Sequence, residues 1–224
     1  MGLQIKTVRT NSNFVAAKKA DIVFCIDNSG SMSSCIEAVR NTVSVFVSSL
    51  EKGVGGQSPV DWRIGLVDYS QSEFLFMDLA KDTATFQNKL RENVSGGDEF
   101  TPGAIDFAIS NASWREGAQR VIVVFTDEPL NGGSGGAHEF DDLLRKIVDS
   151  HIQIIYYGCP CEYYEKFQQC PKAEVNFVNN FSGIDFSNLM NRLAVTVSSS
   201  SPFAGKEPVV TKMVYDLSAI TVKN

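Results

Sequence analysis

The sequence predicts an α/β domain, doubly wound, with a mainly parallel central sheet, helices on both faces and one short antiparallel edge strand. Three observations carry this. Apolar runs of strand length alternate with segments whose apolar residues recur every three or four positions, the order that crossover-connected parallel strands require. The two most apolar runs, Ile22–Ile26 and Val121–Phe125, each reach a carboxylate within two residues, Asp27 and Asp127. In doubly wound sheets, ligands sit beyond the carboxyl ends of strands where the strand order reverses, so this placement marks a site as well as a fold.

The first strand is Ile22-Val23-Phe24-Cys25-Ile26. Ile36, Val39, Val43, Val47 and Leu50 then form a stripe of helical period that stops at the glycine-rich Gly53-Val54-Gly55-Gly56. Trp62 to Val67 reads as the next strand and Phe74 to Met77 as a short one behind it. The segment between them, Tyr69 to Glu73, has hairpin length, so this edge strand is expected to be antiparallel. Phe86 and Leu90 mark a short helix over 83–93. Pro102, suited to a first helical position, opens another over 102–113. After the strand that ends at Phe125, the residues Phe140, Leu143, Leu144, Ile147 and Val148 mark a further helix. A strand at 152–157, a helix near 161–169, a short strand at 175–178 and a final helix from about 185 to 199 complete the alternation.

The domain is expected to cover residues 18–200, with 1–17 as an N-terminal extension and 201–224 as a C-terminal one. Ser198 to Pro202 is linker-like. Beyond it, Val209 to Tyr215 and Ile220 to Val222 read either as strands pairing with Ile5 to Val8 at a sheet edge or as a docking arm for another subunit.

Composition narrows the function. With 224 residues, 43% hydrophobic and 21% charged, the chain has ordinary globular usage and one domain's length. A net charge of −6 and the lack of a basic run argue against a nucleic-acid surface. No apolar stretch approaches the roughly 18 to 20 residues that span a bilayer. The start, Met1 to Lys6, lacks the charged-then-apolar pattern of a signal peptide, and Lys6 stands where a myristoylation start has Ser or Thr. The expected location is the cytoplasm.

The chemistry concentrates in Asp27-Asn28-Ser29-Gly30-Ser31. A carboxylate and two hydroxyls at alternate positions, leaving a strand and entering a helix, can point their oxygens at one spot. Such oxygen sets of low charge suit hard cations, Mg²⁺ above all. Hydroxyls alone hold a metal poorly, and the best second source is Thr126-Asp127-Glu128. The competing reading of Asp27 and Ser29 is helix capping, which needs one such residue rather than three in alternation.

Enzyme motifs are missing. There is no Gly-x4-Gly-Lys-Ser/Thr, no glycine fingerprint after the first strand and no Gly-x-Ser-x-Gly elbow. The histidines, His138 and His151, are the sole candidate imidazole bases. A metal-dependent phosphoester hydrolase with Asp27 as nucleophile is the alternative to a binding role. A purely structural metal is a third reading. Of five cysteines, Cys25 lies in a buried-strand pattern and Cys35 one turn into the first helix. Cys159, Cys161 and Cys170 could be unpaired thiols, a disulfide with one thiol left over, or a zinc site completed by His151.

Asp-x-Ser-x-Ser after a buried strand, with Thr-Asp closing a later one, resembles the von Willebrand factor A family over roughly residues 20 to 200. The resemblance implies a Rossmann-like sheet carrying a metal-ion-dependent adhesion site. Asp27, Ser29 and Ser31 match its first loop and Asp127 its last. The family's middle ligand is usually a Thr after paired glycines. Here Gly96-Gly97-Asp98-Glu99-Phe100-Thr101 is one residue longer, and Thr101 is the match because it directly precedes a helix start. Asp98 or Glu99 would serve instead in a more negative site. The implied cation is Mg²⁺, with Mn²⁺ or Ca²⁺ as alternatives, and a Glu or Asp from a protein partner completes its octahedron. Asn28, Gly97, Glu128 and the 131–138 loop would form an exposed rim that sets specificity. The implied role is a non-enzymatic, cation-dependent protein-binding module, an intracellular adaptor or assembly factor of bacterial character.

Overall fold

A computed structural model describes residues 17–70, 73–90, 100–130, 137–200 and 213–216, with residues 137–138 and 213–216 as backbone only. Its strands are β1 (Lys18–Asp27), β2 (Val60–Tyr69), β3 (Phe74–Ala80), β4 (Gln119–Thr126), β5 (Ile152–Gly158), β6 (Glu174–Phe177) and β7 (Met213–Asp216). They form one sheet in the order β3-β2-β1-β4-β5-β6-β7. Every pairing is parallel except that of β3, which runs antiparallel to β2 as the hairpin-length connection predicts. The order reverses between β1 and β4, so the switch point lies at their carboxyl ends.

The helices are α1 (Ser33–Lys52), α2 (Thr83–Lys89), α3 (Thr101–Asn111), α4 (Ala137–Asp149), α5 (Glu162–Glu165) and α6 (Phe186–Ser199), with 3₁₀ turns at Gly30–Met32 and Lys166–Gln169. Because crossovers place helices on both sides, β1 is apolar on both faces. Ile22, Phe24 and Ile26 pack with Val39, Val43 and Phe46 of α1 and with Leu189, Leu193 and Val197 of α6. Val23 and Cys25 pack on the other side with Ala104 and Ala108 of α3 and with Leu143 and Ile147 of α4. Burying each large side chain among these contributes about 1.5–3 kcal/mol.

The predicted elements are present, with shifted ends. α1 stops where its stripe does, at Gly53, whose φ of +73° suits a residue without a Cβ. Thr101 opens α3 and Pro102 takes its second position rather than its first. The helix expected near 161–169 is a short α5 that tightens into a 3₁₀ turn; Cys170, ahead of Pro171, is extended, as pre-proline residues prefer. Val148, counted into the stripe of α4, is 40% exposed. The C-terminal segment contributes β7, parallel to β6. The expected partner Ile5 to Val8 and the strand at 220–222 lie outside the described residues.

At the amino end of the sheet, away from the switch point, Asp21 is fully buried. It accepts hydrogen bonds from Arg63 Nε and Nη2 at 3.0 and 2.8 Å, and from the backbone N and Nε of Arg115 at 2.7 and 2.8 Å. Among the described residues, no helix is long and apolar enough to cross a membrane.

Candidate metal centre

β1 delivers Asp27 as its last residue, with no exposed surface. One carboxylate oxygen, Oδ1, accepts the backbone N–H of Ser29 at 2.8 Å, and Oδ2 accepts the Thr126 hydroxyl at 2.8 Å. Ser29 is the N-cap of the 3₁₀ turn by position, yet its side chain makes no capping bond. Its Oγ lies 3.0 Å from Ser31 Oγ instead. The capping reading of this loop therefore fails: its hydroxyls face each other rather than the helix amides.

The second loop follows β4. Thr126 Oγ1, besides donating to Asp27, accepts the N–H of Glu128 at 3.2 Å, which folds the chain sharply after the strand. Asp127 Oδ1 accepts the Ser31 hydroxyl at 3.1 Å. Two hydrogen bonds thus stitch the loops together, Thr126 to Asp27 and Ser31 to Asp127. Burial pushes the Asp27 carboxyl above its ordinary range, against the pull of the Ser29 and Thr126 hydrogen bonds, and the charge of Asp127 pushes it further. A cation between the loops would relieve that strain on the ionised form.

Thr101, fully buried at the start of α3, shares a 2.7 Å hydrogen bond with the hydroxyl of Tyr69. Tyr69 is the Cα partner of Asp27 across the β1–β2 register. Thr101 therefore reaches the cluster through Tyr69, while Asp27, Ser29, Ser31 and Asp127 are linked to one another. The alternatives Asp98 and Glu99 lie outside the described residues.

Asn28 corrects the expected rim. Only 8% exposed, it donates from Nδ2 to Asp68 Oδ2 at 2.8 Å and from its backbone N to Tyr69 O at 2.8 Å, so it ties β1 to β2 rather than facing a partner. Glu128 is partly exposed. Gly97 and residues 131–136 lie outside the described residues, as do the side chains of 137 and 138.

The donor chemistry fits a hard ion. Among the described residues, no three His, Cys, Asp or Glu side chains converge as a metal site. The zinc reading of Cys159, Cys161 and Cys170 thus has no ligand set there, and all five cysteines are unbridged thiols. Burial raises the Cys159 and Cys170 thiols to about 11. What converges is two carboxylates with intervening hydroxyls, the oxygen set that Mg²⁺ and similar ions accept. His151 stands just ahead of β5, at the amino end of the sheet and so opposite this cluster. The sequence marks Thr126 within the second loop but gives no sign of Tyr69 as a support. Thr126 was adjacent in sequence to Asp127, whereas Tyr69 is visible only once β2 is paired with β1.

Residues 21–200 match the family model of the von Willebrand factor type A domain. A von Willebrand factor type A structure from Catenulispora acidiphila aligns with a TM-score of 0.55 at 12% identity, covering 81% of this chain and 43% of that one. Proximal thread matrix protein 1 from the mussel byssus aligns at 0.59 and 18% identity, over 81% of this chain and 48% of that one. The same mussel protein, with a zinc-occupied adhesion-site motif, aligns at 0.56 and 19% identity over 80% of this chain and 46% of that one. At such identities these likenesses show the fold. Among curated sequences, the alpha-protein kinase vwkA of Dictyostelium discoideum is 22% identical over 213 residues, 83% of this chain and 33% of its own length. The chain spans a third of that relative and under half of each solved chain.

Proposed function

The chain belongs to the von Willebrand factor type A family, over residues 21–200, and from this premise we propose that it is a divalent-cation-dependent protein-binding module. Asp27, Ser29, Ser31, Thr101 and Asp127 hold the ion in a metal-ion-dependent adhesion site, some directly and some through water. The ion supplies an electrophilic position that a partner's Glu or Asp carboxylate fills. Mg²⁺ is the proposed occupant, with Mn²⁺ or Ca²⁺ as substitutes. The module serves as an adaptor or assembly factor in the cytoplasm, without catalysing a reaction.

The observation that carries this reading is the hydrogen bond of Ser31 to Asp127, which brings two carboxylate-bearing loops into one cluster at the sheet's switch point. With Asp27 and Asp127 as its carboxylates, the site carries no more negative charge than a divalent ion neutralises, which leaves the ion able to take a further carboxylate. The hydrolase reading gains no base from His151, which lies at the other end of the sheet. Kinase activity is named for a relative of which the match covers 33%.

The test is isothermal titration of Mg²⁺ and Mn²⁺ into chelator-stripped protein and into Asp27→Ala. A glutamate-bearing peptide and its glutamine counterpart are then titrated with metal and with chelator. Metal binding lost in the variant, and glutamate-peptide binding that needs metal, support the module. Turnover of p-nitrophenyl phosphate that vanishes in Asp27→Asn would favour the hydrolase instead.

A further inference from the structure

Tyr69 touches both the first loop of the cluster and the start of α3. Its backbone carbonyl accepts the N–H of Asn28 at 2.8 Å, inside the Asp-x-Ser-x-Ser loop. Its hydroxyl lies 2.7 Å from Thr101 Oγ1, at the head of α3. The ring is fully buried among Val23, Cys25, Ala104 and Ile105, and the hydroxyl is thereby held in place. Near a helix start, a Thr hydroxyl commonly bonds a local backbone amide. Thr101 bonds a tyrosine from another strand instead.

A hydroxyl oxygen that lends a lone pair to a cation must turn its proton elsewhere. In a fully buried pocket that proton needs an acceptor, because an unpaired buried O–H is costly. Tyr69 Oη stands at the right distance to take it. Resting on the reading of Thr101 as a ligand, we propose that Tyr69 is a positioning residue of the metal site: it accepts the Thr101 proton and so aims a Thr101 lone pair at the ion. The phenol ring also fixes the distance between the first and middle loops, because one residue bonds both. Tyr69 itself is no ligand; it acts through Thr101. A second buried phenol, Tyr164, faces the same Thr101 hydroxyl from α5 and completes its surroundings.

The experiment is a double-mutant cycle of Tyr69→Phe and Thr101→Val on the full chain, read by Mn²⁺ titration calorimetry. Water-proton relaxation of the bound Mn²⁺ counts inner-sphere waters. Apo stability in urea is measured alongside. Tyr69→Phe is expected to weaken Mn²⁺ binding by roughly 10- to 100-fold, the usual scale for a residue that orients a ligand. One extra water on the ion should replace the lost hydroxyl. The double variant should bind no more weakly than Thr101→Val alone, since Tyr69 works through Thr101. Thr101→Ser, which keeps the hydroxyl and its bond to Tyr69, should bind as the wild type does. Wild-type affinity in Tyr69→Phe, with loss in Thr101→Val, overturns the inference and leaves the ligand assignment standing. Additive losses in the cycle overturn it too, since they assign Tyr69 a role independent of Thr101. Wild-type affinity in Thr101→Val overturns the ligand assignment and this inference together.

Discussion

Ser31 donates its hydroxyl to Asp127 across 3.1 Å, joining residues that stand 96 positions apart in the chain. Neither side chain has a reason of its own to be there. Ser31 is exposed in a turn, and Asp127 follows a strand whose stretch from Val121 to Phe125 is apolar. Their contact exists because β1 and β4 lie side by side and both end at the same height of the sheet, with Ile26 opposite Phe125. The bond is the point at which the two loops become one site.

Removing either carboxylate should abolish that site without unfolding the domain. Asp127→Ala is expected to weaken Mn²⁺ binding by about a hundredfold or more, beyond the loss typical of supporting residues. Metal at about one hundred times the wild-type dissociation constant should stabilise the wild type by about 2.7 kcal/mol and the variant by about 0.4 kcal/mol or less. Urea melts with saturating Mn²⁺ and with chelator measure both quantities.

Asp27 should cost the metal-free fold stability. Its carboxyl in the folded chain is raised above the reference value of 3.8, chiefly by burial and further by Asp127. The folded state therefore keeps this proton to higher pH than the unfolded state. Its contribution to metal-free stability is complete below the unfolded value and is lost as pH rises through the folded one. Metal binding needs the carboxylate, so metal-induced stabilisation grows with pH across the same window. Asp27→Asn, a mimic of the protonated form, should melt higher than the wild type without metal at pH 7 and show no response to Mn²⁺. A lower melting point for metal-free Asp27→Asn at pH 7 would contradict this.

The Asp21 cluster should matter for stability alone. Asp21→Ala leaves the guanidiniums of Arg63 and Arg115 facing a buried vacancy at the amino end of the sheet. A loss of about 3 kcal/mol is expected in urea unfolding, the scale for stripping one partner from a buried ion pair. Metal affinity should not change, because the cluster and the site occupy opposite ends of β1. A parallel loss of Mn²⁺ affinity would show that the two ends are coupled.

Gly158, at the end of β5, has no room for a side chain. A Cβ there would sit 2.3 Å from the backbone O of Thr126 and 2.5 Å from the Tyr156 hydroxyl. Gly158→Ala should destabilise the fold by about 1–3 kcal/mol, the usual cost of overpacking. Because Thr126 is the residue pushed, and its hydroxyl holds Asp27, Mn²⁺ affinity should fall with stability. Calorimetry on the folded variant separates the two effects.

The alternation of strands and helices was legible because parallel strands buried on both faces must be apolar throughout, and their covering helices must carry stripes. Val121 to Phe125 and the stripe from Ile36 to Leu50 announce themselves for that reason. Asp27, Ser29, Ser31 and Asp127 were legible because polar residues of one chemistry stood at the ends of such runs. Asn28 was misread as rim. Its neighbours in sequence are site residues, but its side chain turns toward Asp68 on β2. Tyr69 looked like the edge of a hairpin, and its bond to Thr101 crosses from β2 to α3.

By itself the sequence determined which segments are strands and helices, which strands end in carboxylates, and that oxygen rather than sulfur or imidazole dominates the loops after β1 and β4. These are local properties, set by side-chain period and by residue chemistry within a few positions. The tertiary structure alone decided which loops meet, that Asn28 faces inward, and that Thr101 is held by Tyr69. Those outcomes depend on strand order and register, which bring distant residues within hydrogen-bond reach and which no local pattern encodes.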